Sequence, residues 1–109
     1  MVTDVSGDSI EVVDVPAAQR FEARGPDGEL VGIAEYQLLG TVVAFTHTEV
    51  PPEHGGRGIA SALIGAALDL VRESDHQVIP YCPFVRAWLV RHPDYLDLVV
   101  RPRTSSATA

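Results

Sequence analysis

The chain has 109 residues, of which 46% are hydrophobic and 21% charged, a composition typical of one globular domain. Eight basic against fifteen acidic residues give a net charge of −7, which disfavours nucleic acid as a partner because such a chain repels phosphate backbones. The lone Cys82 excludes an intrachain disulfide, and no stretch approaches the roughly 20 apolar residues of a membrane span, so we expect a cytoplasmic protein without membrane contact.

The N-terminal half predicts antiparallel strands. Residues 10–13 and 20–24 mix apolar and polar positions at strand length, and the residues of a tight turn follow at 25–28. Two further runs, 29–39 and 41–50, are rich in β-branched and aromatic side chains and are separated by Gly40.

The strand predicted over 41–50 carries two polar candidates for chemistry. Alternation with a period of two places Phe45, His47 and Glu49 on one face of this strand and Thr46 and Thr48 on the other. His47 and Glu49 would then share a face near the end of the strand.

The C-terminal half predicts a strand, helix, strand unit. Proline cannot continue a central strand, so the chain leaves the sheet at Pro51. Apolar and alanine residues at helical spacing predict a helix over 59–73, and an apolar run predicts a parallel strand over 76–81. A second helix over 84–91 and a last strand over 96–100 complete the elements.

These elements predict an α/β (α+β) fold with a mixed sheet of five or six strands and two helices. We expect a single domain over residues 1–103. The small polar residues of 104–109 predict a disordered tail.

A glycine-rich stretch, residues 53–60, lies between the strand and the helix and reads Glu-His-Gly-Gly-Arg-Gly-Ile-Ala. Glycines let the backbone approach a bound group, and the unpaired amides at the start of a helix favour an anion such as a pyrophosphate. A simple tight turn before a helix is the alternative. The sequence lacks the Gly-Lys-Ser/Thr of a phosphate loop and the Gly-x-Gly-x-x-Gly of a dinucleotide fold.

The segment Gly-Gly-Arg-Gly-Ile-Ala at 55–60 resembles the acyl-CoA signature Gln/Arg-x-x-Gly-x-Gly/Ala of the GCN5-related N-acetyltransferases (GNAT). Gly55 stands where that signature has glutamine or arginine. Cys-Pro-Phe-Val at 82–85 and His-Pro-Asp-Tyr at 92–95 resemble a small single-domain subfamily with Cys-Pro-Phe-Val and His-Pro-x-Tyr motifs. The resemblance runs from about residue 31 to residue 100.

The resemblance implies a sheet that opens like a V between the strand before the glycine loop and the strand after the main helix, with acetyl-coenzyme A (acetyl-CoA) in the opening. It implies that CoA is bound by residues of the strand end, the glycine loop and the second helix start: Thr48, Val50, His54, Gly55, Gly56, Arg57, Gly58, Ile59, Ala60, Cys82 and Pro83. It also implies that a strand amide near Val50 polarises the thioester carbonyl.

Three residues are candidates for catalysis. Cys82 precedes a helix, where its thiol would lie beside the thioester and accept the acetyl group, protonate the departing thiolate or only line the pocket; a small buried apolar residue is the alternative. His47 and Glu49 are the candidates for the base that takes a proton from the amine, although a structural histidine and a solvated charge would give the same pattern. The histidines have no metal-ligand spacing, so we expect no metal.

We therefore expect an N-acetyltransferase that passes acetyl from acetyl-CoA to a small amine or to a lysine or peptide amine. The alternative from another class is a module that binds or senses CoA or acyl-CoA with little catalytic activity. A purely structural interaction domain would bind no CoA. The sequence makes no prediction about oligomeric state.

Overall fold

The computed structural model describes residues 2–3, 9–56 and 58–100. One sheet contains six strands whose order in space follows the chain: β1 (Val2–Thr3), β2 (Ser9–Val15), β3 (Arg20–Arg24), β4 (Leu30–Leu39), β5 (Val42–Glu49) and β6 (Gln77–Pro80). The helices are α1 (Ile59–Glu73) and α2 (Pro83–Arg91), with short 3-10 helices at Pro16–Ala18, Pro52–His54 and Pro93–Leu98. Neighbouring strands are antiparallel except β5 and β6, which are parallel, so the sheet is mixed as predicted.

The central elements follow the sequence prediction closely. Helix α1 has its predicted bounds, and β3 occupies 20–24 as expected. Strand β2 is longer than predicted, α2 begins one residue earlier at Pro83, and the two-residue β1 was not predicted. The predicted tail at 104–109, the adjoining residues 101–103 and Arg57 of the glycine loop lie outside the described residues.

The predicted last strand over 96–100 is wrong. The chain forms a 3-10 helix at Pro93–Leu98, in which the amides of Tyr95 and Val99 donate to carbonyls only three residues earlier. Proline at the start of this segment has its φ fixed near the helical value and needs no donor there, so local bonds are favoured over strand pairing. Only the end of this segment reaches the sheet: Val99 forms a single parallel bridge with Val78, and the backbone amide of Val100 donates to the carbonyl of Val78 over 2.9 Å.

The core lies between α1 and one face of the sheet. Helix α1 buries six side chains, Ile59, Leu63, Ile64, Ala67, Leu68 and Val71. They meet an aromatic cluster on the sheet, in which the ring of Phe21 lies 5.2 Å from that of Tyr36 and 5.9 Å from that of Phe45. Burying one such aliphatic side chain contributes about 1.5–3 kcal/mol, so this face of α1 is the main source of its stability.

Helix α2 packs on α1 through one aromatic side chain. The indole Nε1 of Trp88 donates to Ser61 Oγ over 3.1 Å, and the same ring lies against Gly65 in the middle of α1. Trp88 also stacks on His92 at a centroid distance of 3.7 Å. None of the helices in the described part of the chain is long and apolar enough to cross a membrane.

The face of β3, β4 and β5 that points away from α1 is polar, and we call it the polar face. Cross-strand pairing aligns two rows on it, Arg20 with Glu35 and His47, and Glu22 with Ile33 and Glu49. Glu22 is the buried charge of this face. Hydrogen bonds from Arg24 and then Arg20 hold the pKa of Glu22 below its ordinary value of 4.5.

Candidate active site

The sheet opens where β5 and β6 part. Their parallel pairing runs from Val42 and Gln77 to Phe45 and Pro80 and stops there. The last bond across the gap is donated by the backbone amide of Cys82 to the carbonyl of Phe45, at 2.9 Å. Beyond it, residues 47–49 of β5 pair with β4 but with no second strand among the described residues. Backbone polar groups on that edge are therefore available to a ligand.

A β-bulge in β5 lies at this opening. Glu35 of β4 faces His47, and the next residue, Tyr36, faces Phe45, so Thr46 is the extra residue of β5. Its hydroxyl donates to the carbonyl of Glu35 over 3.3 Å. A bulge shifts the alternation of side chains by one position.

The prediction that Phe45, His47 and Glu49 share one face is therefore wrong. Phe45 is fully buried in the aromatic cluster on the α1 side, whereas His47 and Glu49 lie on the polar face. Thr48, opposite Ala34 in β4, returns to the α1 side. The end of β5 thus carries His47 and Glu49 on the polar face and Thr48 on the side of α1.

On the α1 side, Thr48 meets Cys82. The Thr48 hydroxyl oxygen lies 3.4 Å from the Cys82 sulfur, where either group can act as donor. Cys82 precedes the first turn of α2, and its side chain is buried, with 4% of the residue exposed. The thiol is thus held at the opening of the sheet and also forms part of the hydrophobic core.

On the polar face, His47 and Glu49 contact each other. His47 Nε2 lies 3.2 Å from Glu49 Oε1, and the two side chains are 54% and 64% exposed. An imidazole paired with a carboxylate can accept a proton from a group that approaches through solvent. The structure brings this pair together but leaves Cys82 on the other side of the strand.

The glycine-rich stretch forms a turn and the start of α1. Gly56 and Gly58 have positive φ values of 79° and 73°, which explains the residue type at both positions. Gly58 is the N-cap of α1, and no side chain caps the helix. Because the first amides of a helix have no acceptor within it, those at the start of α1 can bind an anion.

A cavity of about 250 Å³ opens at this helix start. Seven of the residues predicted to bind CoA line it: Val50, His54, Gly55, Gly56, Gly58, Ile59 and Ala60. Thr48, Cys82 and Pro83 lie instead at the opening between β5 and α2. The two groups of residues are joined by the end of β5 and the 3-10 helix that follows it.

Three further residues line the cavity and were missed by the sequence analysis. Ser61 belongs to the first turn of α1, while Phe84 and Arg91 come from the first and last turns of α2. Phe84 is partly buried and packs against the hydrophobic core. The helical spacing of seven residues between Phe84 and Arg91 was the available signal, because it places both on one face of α2.

Comparisons with known proteins identify a family and several relatives. The family of GCN5-related N-acetyl-transferases matches residues 20–98. Protein NATD1 of Homo sapiens is 39% identical over 65 residues, which span 57% of this chain and 58% of that protein. Protein NATD1 of Danio rerio is 35% identical over 68 residues, which span 60% of this chain and 62% of that protein. The chain thus matches less than two thirds of the length of these curated relatives.

The fold also has a counterpart among solved structures. The solution NMR structure of a GCN5-like protein from Staphylococcus aureus superposes with a TM-score of 0.62 at 20% sequence identity. The superposition covers 91% of this chain and 96% of that one. At 20% identity the superposition shows that the two proteins share a fold, and no more.

Proposed function

The chain belongs to the family of GCN5-related N-acetyltransferases, and on that premise we propose that it binds acetyl-CoA at the glycine loop and transfers the acetyl group to an amine. The observation that carries the proposal is the cavity of about 250 Å³ at the start of α1. The cavity brings together the unpaired amides at the start of α1 and the glycines that resemble the acyl-CoA signature. This arrangement is an observation on this chain, independent of the family match.

The residues that line the cavity fit a phosphate-containing group. Gly56 leaves open space where a side chain would stand, since no described residue other than Gly56 and its chain neighbour has an atom within 4 Å of the position of its Cβ. Amides of the first turn of α1 would hold the pyrophosphate, and Val50 and Phe84 would contact the pantetheine arm. Acetyl-CoA supplies an acetyl group activated as a thioester.

We place the acetyl end of the ligand at the opening between β5 and α2. The free edge of β5 offers backbone amides to the thioester carbonyl, which would stabilise the negative charge that develops on its oxygen. In direct transfer the amine nitrogen forms a bond to the carbonyl carbon, and the carbon–sulfur bond breaks. The His47–Glu49 pair takes the amine proton, and a proton from solvent or from the Cys82 thiol returns to the departing sulfur.

The acceptor would approach from the polar face. Glu49 and Glu35 carry negative charge beside His47 on that face, which favours a protonated small amine or a lysine side chain before it reacts. We propose that this reaction takes place in the cytoplasm.

A second candidate function is the binding or sensing of CoA without efficient transfer. It is favoured by one observation, the separation of Cys82 from the His47–Glu49 pair on opposite sides of β5. Turnover of any amine at a rate above that of the uncatalysed reaction would exclude it.

The test is calorimetric titration with CoA together with intact-mass analysis after mixing with acetyl-CoA, for the wild type and Cys82→Ala. All eight basic residues of the chain are arginines, so no lysine side chain competes for the acetyl group. We expect CoA to bind to both proteins. An adduct of one acetyl group that requires Cys82 would establish a covalent route, whereas binding without an adduct would favour direct transfer.

The transfer itself is measured by release of CoA thiol with a panel of amines, for the wild type, His47→Gln and Glu49→Gln. We expect His47→Gln to lower turnover by 10²-fold or more, since general base catalysis typically contributes about 10²–10⁴-fold. Failure of the wild type to bind CoA would refute the proposed function as a whole.

A further inference from the structure

One arginine differs from the others in the described part of the chain. Four of them are held by internal bonds: Arg20 and Arg24 to Glu22, Arg72 to Asp97, and Arg86 to the carbonyl of Tyr81. Arg91 makes no hydrogen bond or ion pair with any residue that the structure describes. Its guanidinium is exposed and available to an external anion.

Arg91 lies beside the glycine loop in space, although 33 or more residues separate them in sequence. It lines the cavity of about 250 Å³ together with Gly55, Gly56 and Gly58. Trp88, three residues earlier on α2, is bonded to Ser61 of α1, and residues three apart share one helix face. The bond therefore holds the Arg91 side of α2 against the start of α1.

The negative charge of the chain makes a cation such as Arg91 beside the cavity important for binding a phosphate-containing ligand. A protein with a net charge of −7 repels a ligand that carries several phosphate charges unless cations lie close to the site. The signature that the glycine loop resembles has glutamine or arginine at the first position, where this chain has Gly55. The loop therefore lacks a side chain that would contact phosphate at that position.

We propose that Arg91 binds a phosphate group of CoA from α2, opposite the amides of the glycine loop, and so supplies the contact that Gly55 lacks. The inference rests on the proposed function. It assigns to the last turn of α2 a share of phosphate binding, in addition to that of the glycine loop. A planar guanidinium suits this role because it donates two parallel hydrogen bonds to phosphate oxygens.

A purely structural role for Arg91 makes a different prediction. Arg91 is the last residue of α2, where a cation interacts favourably with the negative end of the helix dipole. In that role, loss of the charge would lower the midpoint of thermal unfolding and leave CoA affinity unchanged.

The test is calorimetric titration of CoA and of 3′-dephospho-CoA into the wild type, Arg91→Gln and Arg91→Lys. The matched control is Arg72→Gln, which removes the same charge from an exposed ion pair with Asp97. We expect Arg91→Gln to weaken CoA binding about tenfold, equivalent to about 1.4 kcal/mol, and Arg72→Gln to weaken it less than twofold. Arg91→Lys should recover part of the loss, and added salt should reduce the difference between the wild type and Arg91→Gln.

The two ligands locate the contact. If the tenfold loss disappears with 3′-dephospho-CoA, Arg91 binds the 3′-phosphate; if it persists, Arg91 binds the pyrophosphate. Equal affinities of the wild type and Arg91→Gln for CoA would overturn the inference, as would equal losses in Arg91→Gln and Arg72→Gln. Both of these results leave the proposed function intact. A wild type that binds no CoA would refute the proposed function as well as the role of Arg91.

Discussion

Replacement of Gly65 by alanine tests the contact between the two helices. An ideal Cβ at Gly65 would lie 3.2 Å from Trp88 Cζ2, which is shorter than an ordinary van der Waals contact. The indole cannot easily move away, because it donates to Ser61, stacks on His92 and packs edge-on against Tyr95. We therefore expect the new methyl group to strain the helix pair.

Two opposing effects determine how much Gly65→Ala changes the free energy of unfolding. Alanine in place of glycine within a helix stabilises it by about 1 kcal/mol. Overpacking of a well-filled contact costs about 1–3 kcal/mol. With Trp88 fixed on three sides, we take about 2 kcal/mol for the strain and expect Gly65→Ala to lower the free energy of unfolding by about 1 kcal/mol.

The sign should reverse in a Trp88→Phe background. Phenylalanine lacks the outer ring that carries Cζ2, so the added methyl group meets no overlap and the helix propensity alone remains. Gly65→Ala should then raise the free energy of unfolding by about 1 kcal/mol, which makes the coupling between the two sites about 2 kcal/mol.

The assay is urea unfolding of the four proteins followed by far-ultraviolet circular dichroism, because Trp88 is the only tryptophan and its fluorescence is lost in half of them. Equal m-values would show that all four unfold in the same two-state manner. The same stabilisation in both backgrounds would mean that the indole yields freely, and the argument that it fixes α2 on α1 would be refuted.

Three other predictions concern the sheet and the loop. Because the pKa of Glu22 is lowered by Arg24 and Arg20, its contribution to stability is present above pH 4.5 and lost as pH falls through the lowered pKa; acid unfolding of Glu22→Gln should show a weaker dependence on pH in that range. Phe45→Ala should cost about 3–5 kcal/mol in urea unfolding, since the side chain is fully buried; a loss below 1 kcal/mol would contradict its place in the core. Gly56→Ala should cost about 1 kcal/mol through its positive φ alone, and a neutral result would mean that the loop relaxes to another conformation.

The sequence predicted best those elements whose cause is local. The bounds of α1 follow from a run of alanine and aliphatic residues at helical spacing, and the split between β5 and α1 follows from prolines and glycines. The predicted last strand is wrong for a reason that is also local: proline at position 93 begins a helical turn.

The arrangement of the candidate site depended on features that a sequence does not reveal. The bulge at Thr46 depends on register with β4, and it decides that His47 and Glu49 face away from Phe45 and Cys82. Arg91 reaches the glycine loop because Trp88 fixes α2 on α1, a contact between distant segments. Motifs indicate candidate residues, whereas the pairing of strands and the packing of helices decide which of these candidates lie close together.

The order of the strands has a consequence for how quickly the molecule folds. Every strand pairs with its neighbour in the chain, so β2 to β5 can assemble as successive hairpins, each closing only a short loop. The pairing of β6 with β5 is the exception, since it must wait for α1 to cross over the sheet. We expect the antiparallel strands β2 to β5 to form first, at the rates typical of local contacts. The opening between β5 and α2 would then be completed in the last step of folding.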